Sequence, residues 1–452
     1  MRIERRAWYQ SVNQVPTNRA SCCDLRQHGS EYICLDLPWT LNFDEEHFDE
    51  ELRTRMGALR AIAAGLALLL SVILYRGQHS IFNSILVSRT FPAVWTPANL
   101  SSPCTYPLLD PDLRLCEDAV LDGDRVLVSC DRGRFSWNTA TGPMLDPTST
   151  GSLWLYKPSA RSITRLTITE FPVAHVFHPV GLALRFPDAY VVNQGKTATT
   201  IEHLHLDEDG TARWLRTLSF PSQHPAPNAL ALTPDGTGLY VSNDKRFTPR
   251  VSPILSHLET LSSVPLGWVG FINTTTGAYT RAAQGLVFPN GVSVSPDGLH
   301  VAVAESAFSR LHIYARDPLT NALEWETVVQ LPAIPDNVHY AGLDRVVVGG
   351  IPWMPSMDAR RQGKGTTKAA AWVMEVLFNQ EDEKWEQWDG APVNASSVTI
   401  ALPEQPAVKI RTLMQSNGEV IEASTGASYD PERGEVYVAG LADTRGFVVC
   451  KV

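Results

Sequence analysis

Pro289-Asn-Gly-Val-Ser-Val-Ser-Pro-Asp-Gly-Leu-His-Val-Ala-Val-Ala304 places an asparagine, a Pro-Asp-Gly turn and an apolar run within sixteen residues. The Pro-Asp-Gly segment is turn chemistry, and the apolar run after it has strand composition. The same order recurs along the chain. Apolar runs stand at Arg125–Cys130, Ala189–Asn193, Gly238–Asn243, Leu299–Ala304, Arg345–Gly349 and Glu435–Ala439. Asp122-Gly123, Pro234-Asp235-Gly236, Pro296-Asp297-Gly298 and Arg433-Gly434 introduce most of them. An oxygen-bearing side chain precedes many of these runs: Glu117, Asn228, Asn290, and the adjacent Asp336 and Asn337. Equivalent positions in repeats become neighbours only if the repeats surround an axis, so the pattern predicts a β-propeller. Six runs predict six blades over residues 104–452, an all-β domain in which roughly sixty residues per unit leave room for four strands.

The 452 residues carry a formal net charge of −10, which speaks against a nucleic-acid partner. Hydrophobic residues make up 44% and charged residues 19%, enough to bury a sizeable core, and 31 prolines and 30 glycines suit a turn-rich β fold. No glycine-rich phosphate loop or nucleophile elbow follows a strand.

Residues 57–75 hold a single charge, Arg60. A helix of that length, rising ~1.5 Å per residue, just crosses a ~30 Å hydrocarbon layer, and this stretch is predicted to be a transmembrane signal anchor. Arg53, Arg55 and Arg60 on its N-terminal side outweigh Arg76 beyond it. That bias predicts a single-pass type II protein, with residues 1–56 a largely disordered cytosolic tail, 77–103 a connector, and the propeller lumenal or extracellular. The sequons at Asn99, Asn273 and Asn394 agree with that compartment as expected glycosylation sites.

Cys22, Cys23 and Cys34 then face the reducing cytosol, whereas Cys104, Cys116, Cys130 and Cys450 face an oxidising space. A propeller closes its ring by joining the chain ends, so Cys104 is expected to pair with Cys450, with Cys116 as the competing partner.

The five oxygen-bearing residues suit a hard divalent cation. Glu117 and Asp336 carry two charges, the three asparagines supply neutral oxygens, and the absence of histidine and cysteine disfavours zinc. Taken singly, each has a plainer reading. Asn290-Gly291 reads as a turn, Asn228 after Pro227 as a loop cap, Asp336-Asn337 as an Asx-turn and Glu117-Asp118 as a solvated pair.

Several segments resemble the serum paraoxonase/arylesterase family, within the calcium-dependent phosphotriesterase-like six-bladed propellers, and more distantly the gluconolactonase type. They are Cys-Glu-Asp at 116–118, Phe-His-Pro-Val-Gly at 177–181, Val-Val-Asn at 191–193, Pro-Asn at 227–228 and Ser-Asn-Asp at 242–244. The series continues with 289–298, Asp-Asn-Val at 336–338, Ser-Thr-Gly-Ala-Ser at 424–428 and the terminal Val-Cys-Lys-Val. The resemblance covers about Cys104 to Val452. It implies one catalytic Ca²⁺ held by Glu117, Asn228, Asn290, Asp336 and Asn337, an N-terminal anchor and a disulfide joining the ends. It also implies a second, structural ion held by Asp118 and by an aspartate where this chain has Ala229, which makes that ion doubtful. The family's proton-shuttling histidines fall on Val180 and Gln194, so this chain resembles a divergent member without the pair.

The resulting expectation is a calcium-dependent hydrolase of a small-molecule lactone or ester. The metal polarises the carbonyl, and Asp336 is the base or nucleophile. His178, two residues before Val180, faces the same way in an extended segment and is a further catalytic candidate; His339 reads as structural. The rival is a non-hydrolytic propeller, either a ligand-binding module or a strictosidine-synthase-like biosynthetic enzyme.

Overall fold

In the computed structural model, which describes residues 45–82, 103–148, 151–173, 175–218, 226–363, 368–378 and 408–452, the apolar runs lie in the second strands of successive sheets. Those strands are Arg125–Asp131, Asp188–Asn193, Gly238–Asn243, His300–Glu305, Arg345–Ile351 and Glu435–Gly440. Each pairs antiparallel with an inner strand that precedes it: Cys116–Asp122, Pro179–Arg185, Pro227–Leu232, Pro289–Val294, Ile334–Tyr340 and Ser424–Asp430. Among the described residues the strands form six sheets, numbered here as blades 1 to 6 in that order. The inner strands of successive blades touch around a closed circuit, which makes the fold a six-bladed β-propeller.

Burial explains why the second strands stand out in the sequence. The core is six layers, one between each pair of neighbouring blades, so a second strand is apolar on both faces. In blade 1, Val126 and Val128 pack toward Tyr437 and Phe447 of blade 6, while Leu127 packs toward Leu182 and Val191 of blade 2. The Pro-Asp-Gly turns work as read. Gly236 and Gly298 take φ of 77° and 74°, and Asp235 and Asp297 accept the N–H of Thr237 and Leu299.

Blade 2 has five strands, because Thr167–Thr169 adds in parallel to Thr211–Leu218. Blade 6 is completed by Cys104–Thr105, which pairs with Phe447–Lys451. The first and last parts of the propeller therefore share one sheet, and a Cys104–Cys450 disulfide fastens them. A second disulfide, not anticipated above, joins Cys116 to Cys130 across the first hairpin.

N-terminal to the propeller, helix α1 spans Glu45–Phe82. It is longer than the predicted 57–75 at both ends, so residues 45–56 are helical rather than disordered, and the expected connector begins in helix. The glutamates at 45, 46, 50 and 51 favour helix and extend it beyond the apolar stretch. Within it Arg53–Tyr75 is long and apolar enough to cross a membrane, and its side chains are exposed. A boundary between compact units falls inside this helix, at Ala64 and Gly65. The apolar helix and the disulfides fit a membrane protein of the secretory pathway. The rest of the tail, the three tail cysteines, and the sequons at Asn99 and Asn394 lie outside the described residues. Asn273 is described, and its side-chain oxygen accepts the N–H groups of Thr275 and Thr276.

The two disulfides close loops of very different length, with sequence separations of 346 and 14. Chain-entropy reasoning ranks the ring-closing bond as the stronger stabiliser, roughly 6 kcal/mol against roughly 3. A Cys104→Ala/Cys450→Ala variant should therefore lose more denaturant resistance than Cys116→Ala/Cys130→Ala in non-reducing melts. Equal losses would show that ring closure does not depend on the clasp.

Candidate functional site

Each inner strand begins with one residue too many. Its pairing with the second strand slips between Cys116 and Asp118, Pro179 and Leu182, Pro227 and Leu230, Pro289 and Val292, Pro335 and Val338, and Ser424 and Gly426. Such a β-bulge bends the strand and re-aims a side chain. Two residues back from Ala119, Leu182, Leu230, Val292, Val338 and Ala427, which share one register with their second strands, the equivalent residues are Glu117, Val180, Asn228, Asn290, Asp336 and Thr425. Four of the five predicted ligands thus share one structural position. Asn337 stands one residue further along, where the other blades have Asp118, Gly181, Ala229, Gly291 and Gly426. The glycines are needed at 181, 291 and 426 because neighbouring strands press close there. A Cβ on Gly181 would lie 2.3 Å from the Asn228 carbonyl oxygen, and one on Gly291 2.5 Å from that of Asp336.

The amide nitrogens in this ring are engaged. Asn337 Nδ2 donates to Glu117 Oε1 at 2.9 Å and to the Glu117 carbonyl at 3.3 Å, and Thr425 Oγ1 donates to the same carbonyl at 2.8 Å. Asn228 Nδ2 donates to Asp244 Oδ2 at 3.4 Å, and the Asn290 side chain hydrogen-bonds Asp336. The opposite atoms are left over. Glu117 Oε2, Asn228 Oδ1, Asn290 Oδ1 and Asn337 Oδ1 are buried with no hydrogen-bond partner in the protein. An unpaired buried acceptor costs about 1–3 kcal/mol, so four in one ring call for a missing electropositive partner. Oxygens from two carboxylates and three amides are the donor set of a hard cation. Among the described residues no cluster of three or more His, Cys, Asp or Glu side chains offers another metal site.

Glu117, Asn228, Asn290 and Asp336 line one cavity of about 150 Å³. Phe135, Phe288, Met354 and Met357 add an apolar wall. Two long insertions, one after the second strand of blade 3 and one after that of blade 5, both start at the bulged end. One carries helix α2, Pro253–Ser262, and the other helix α3, Met354–Arg361. At the end of α3, Arg361 Nη1 donates to Thr141 Oγ1 and to the Gly142 carbonyl in the blade 1 loop, which ties two sides of the cavity together.

Burial governs the electrostatics. It holds the Glu117 carboxyl well above its ordinary range, and the neighbouring Asp118 and Asp336 carboxylates push the same way. Burial also raises Asp336 to about 7, with Asn290 opposing. The Arg134 guanidinium acts against both shifts and lines the cavity.

The positions of the absent histidine pair are in the cavity wall. Val180 has nothing to titrate, and Gln194 is committed, its Oε1 accepting the Thr139 N–H at 3.1 Å. His178 is not among the residues lining the cavity. It is 1% exposed, and its Nδ1 lies 2.7 Å from Asp131 Oδ2. Three contributors escaped the sequence reading. Asp244 orients Asn228, Arg134 faces the carboxylates, and Thr425 holds the Glu117 backbone. Asp244 directly follows the second strand of blade 3, and Thr425 has the bulge position in blade 6, so strand alignment would have found them. The second-ion position does not fit a cation. Asp118 already accepts from Ala119 N, Leu182 N and His339 Nε2, and Ala229 offers no side-chain oxygen.

Fold and site define a class: six-bladed propellers with a buried ring of oxygens where the inner strands begin. Residues 143–350 match the model of the family described as Arylesterase. A stretch of 168 residues is 26% identical to serum paraoxonase/arylesterase 2 of Rattus norvegicus, covering 36% of this chain and 45% of that protein. The counterpart from Bos taurus is 25% identical over 150 residues, 33% of this chain and 40% of that one. The chain thus spans less than half the length of these curated relatives. Over that part of its length the chain is similar to the paraoxonase/arylesterase family. Among solved structures, a putative gluconolactonase aligns with 80% of this chain and 94% of its own, at 14% identity and a TM-score of 0.44, too low to add to what the sheets show.

The raised Asp336 value sets a sign for stability without metal. A carboxyl whose folded value exceeds its unfolded one binds its proton more tightly in the native state, so its stabilisation is present at low pH and is lost as pH rises from about 4 to about 7. In EDTA, melting temperature should fall across that window and fall less in Asp336→Asn. An Asp336→Asn profile parallel to the parent would remove this residue as the cause.

Proposed function

We propose that the cavity is the active site of a calcium-dependent hydrolase acting on a lactone or ester. The carrying observation is the set of four partnerless buried oxygens contributed by four blades to one ring. Glu117 and Asp336 bring two negative charges, which formally balance a divalent cation, and Asn228, Asn290 and Asn337 bring neutral oxygens. When bound, Ca²⁺ would polarise the substrate carbonyl and stabilise the charge that develops on its oxygen. Asp336 takes a proton from the attacking water as the water oxygen bonds to the carbonyl carbon. The acyl C–O bond then breaks as Asp336 returns that proton to the leaving oxygen, releasing an acid and an alcohol, which remain one molecule when the substrate is a lactone. Asn290 keeps the Asp336 carboxylate aimed, and the aromatic and methionine wall keeps bulk water out. His178 has no part in this scheme.

The family match and the relatives' printed names support esterase-type hydrolysis in general. The same reading makes the chain a single-pass type II membrane protein, with the N-terminus cytosolic and the propeller lumenal or extracellular. The arginines in the N-terminal part of the apolar span and the disulfides in the propeller support that orientation. Val180 and Gln194 favour the second reading, a propeller that binds its ligand without hydrolysing it.

The test is calcium titration of the purified protein alongside turnover of a lactone and an aryl ester. One calcium per chain is expected. Chelation should abolish turnover, and Asp336→Ala should lower kcat by about 100-fold or more. Calcium binding without turnover of either substrate would favour the second reading, and no calcium at millimolar levels would end the metal assignment.

A further inference from the structure

Glu117 and Asn337 belong to blades 1 and 5, which are not neighbours, because blade 6 stands between them. Two side-chain contacts join their inner strands across that gap. The first, Asn337 to Glu117, is made by the candidate ligands themselves. The second lies directly beside it. His339 follows Asn337 by two residues, so it leaves the same face of the strand. Its Nε2 donates to Asp118 Oδ1 at 2.8 Å. Asp118 is 1% exposed. Its Oδ1 also accepts the Ala119 N–H at 2.9 Å, and its Oδ2 accepts the Leu182 N–H of blade 2 at 3.0 Å. Gly426 of blade 6 packs against it so closely that a Cβ there would come within 2.5 Å of the Asp118 Cα. One buried carboxylate therefore joins blades 1, 2 and 5 and backs onto blade 6, and His339 supplies the member that reaches across the axis.

We propose that His339 is a positioning residue, a cross-brace from blade 5 to the buried Asp118 of blade 1, so that Glu117 and Asn337 keep the separation one bound cation requires. This inference rests on the calcium reading of the ring. The brace is independent of the ligand atoms: it would hold blades 1 and 5 in register even while Asn337 and Glu117 rearrange around an ion. Asn337 alone would not do so, because the group that spans the gap is the group that must adjust.

The experiment is calorimetric titration of the full chain in detergent with calcium chloride alone, together with melting temperatures in EDTA and in calcium. The parent should bind one ion. His339→Ala should bind it about tenfold or more weakly, and the calcium-induced rise in melting temperature should shrink, which a merely structural defect would not cause. His339→Gln, whose amide can donate to Asp118, should recover most of the affinity, whereas the shorter His339→Asn should not. If His339→Ala fails to fold, the Gln and Asn variants decide between them. Parent-like affinity in His339→Ala, or equal affinity in the Gln and Asn variants, would each overturn the brace while leaving the calcium reading in place. No binding by the parent would overturn both.

Discussion

The β-bulge at the start of every inner strand is the constraint on which the centre depends. A regular antiparallel strand sends alternate side chains to its two faces, and in a propeller both faces are packed against neighbouring blades. A regular inner strand therefore has no way to present a polar side chain at the axis without burying it between blades. The extra residue breaks the alternation at one level and turns that residue toward the central cavity. Repeated in six blades, it makes a ring of six positions. Proline precedes the bulge in four of them, at 179, 227, 289 and 335, where a strand can begin without an N–H to pair.

The ring is held in a state that favours a cation. Each asparagine spends its amide nitrogen on a carboxylate, at Glu117, Asp244 or Asp336, and so leaves its oxygen over. The carboxylates are in turn crowded and dehydrated, which drives Glu117 and Asp336 toward protonation. Either a proton or a divalent cation relieves that crowding, but only the cation also satisfies all three amide oxygens. Two protonated carboxyls could donate to two of the three amide oxygens of Asn228, Asn290 and Asn337, and would still leave one without a partner. The donor set therefore suits a cation better than a proton.

How much of this was legible depended on which surfaces each residue meets. The second strands were readable because blades bury both their faces, which produces continuous apolar runs. The inner strands were readable only where the bulge residue carries oxygen in a recognisable setting, so Glu117, Asn228, Asn290 and Asp336 emerged while Val180 and Thr425 did not. The Cys116–Cys130 bond had a signal, since the two cysteines are placed symmetrically about the Asp122-Gly123 turn. Reading it required treating the first apolar run as half of a hairpin. His339 had no local signal for its role. Its partner, Asp118, lies four blades away in sequence, and only the closed ring brings the two together.

Replacing the histidine pair changes where a proton can go. At Val180 the ring position turns apolar and joins the core layer between blades 2 and 3. At Gln194 the side-chain oxygen is taken by the Thr139 N–H, and the backbone carbonyl by the Trp137 indole at 2.7 Å, so this side of the cavity is fixed in place. Neither residue can accept and release a proton near neutrality. The Arg134 guanidinium offers no acceptor, and Glu117 is already bonded to Asn337. Of the groups lining the cavity and belonging to the ring, Asp336 combines a carboxylate, an opening onto the cavity and a metal-free value near 7. The proposed acid–base step is therefore assigned to Asp336, the same residue that would hold the cation. Metal occupancy and basicity are then linked at a single carboxylate instead of being divided between a metal ring and a separate histidine relay.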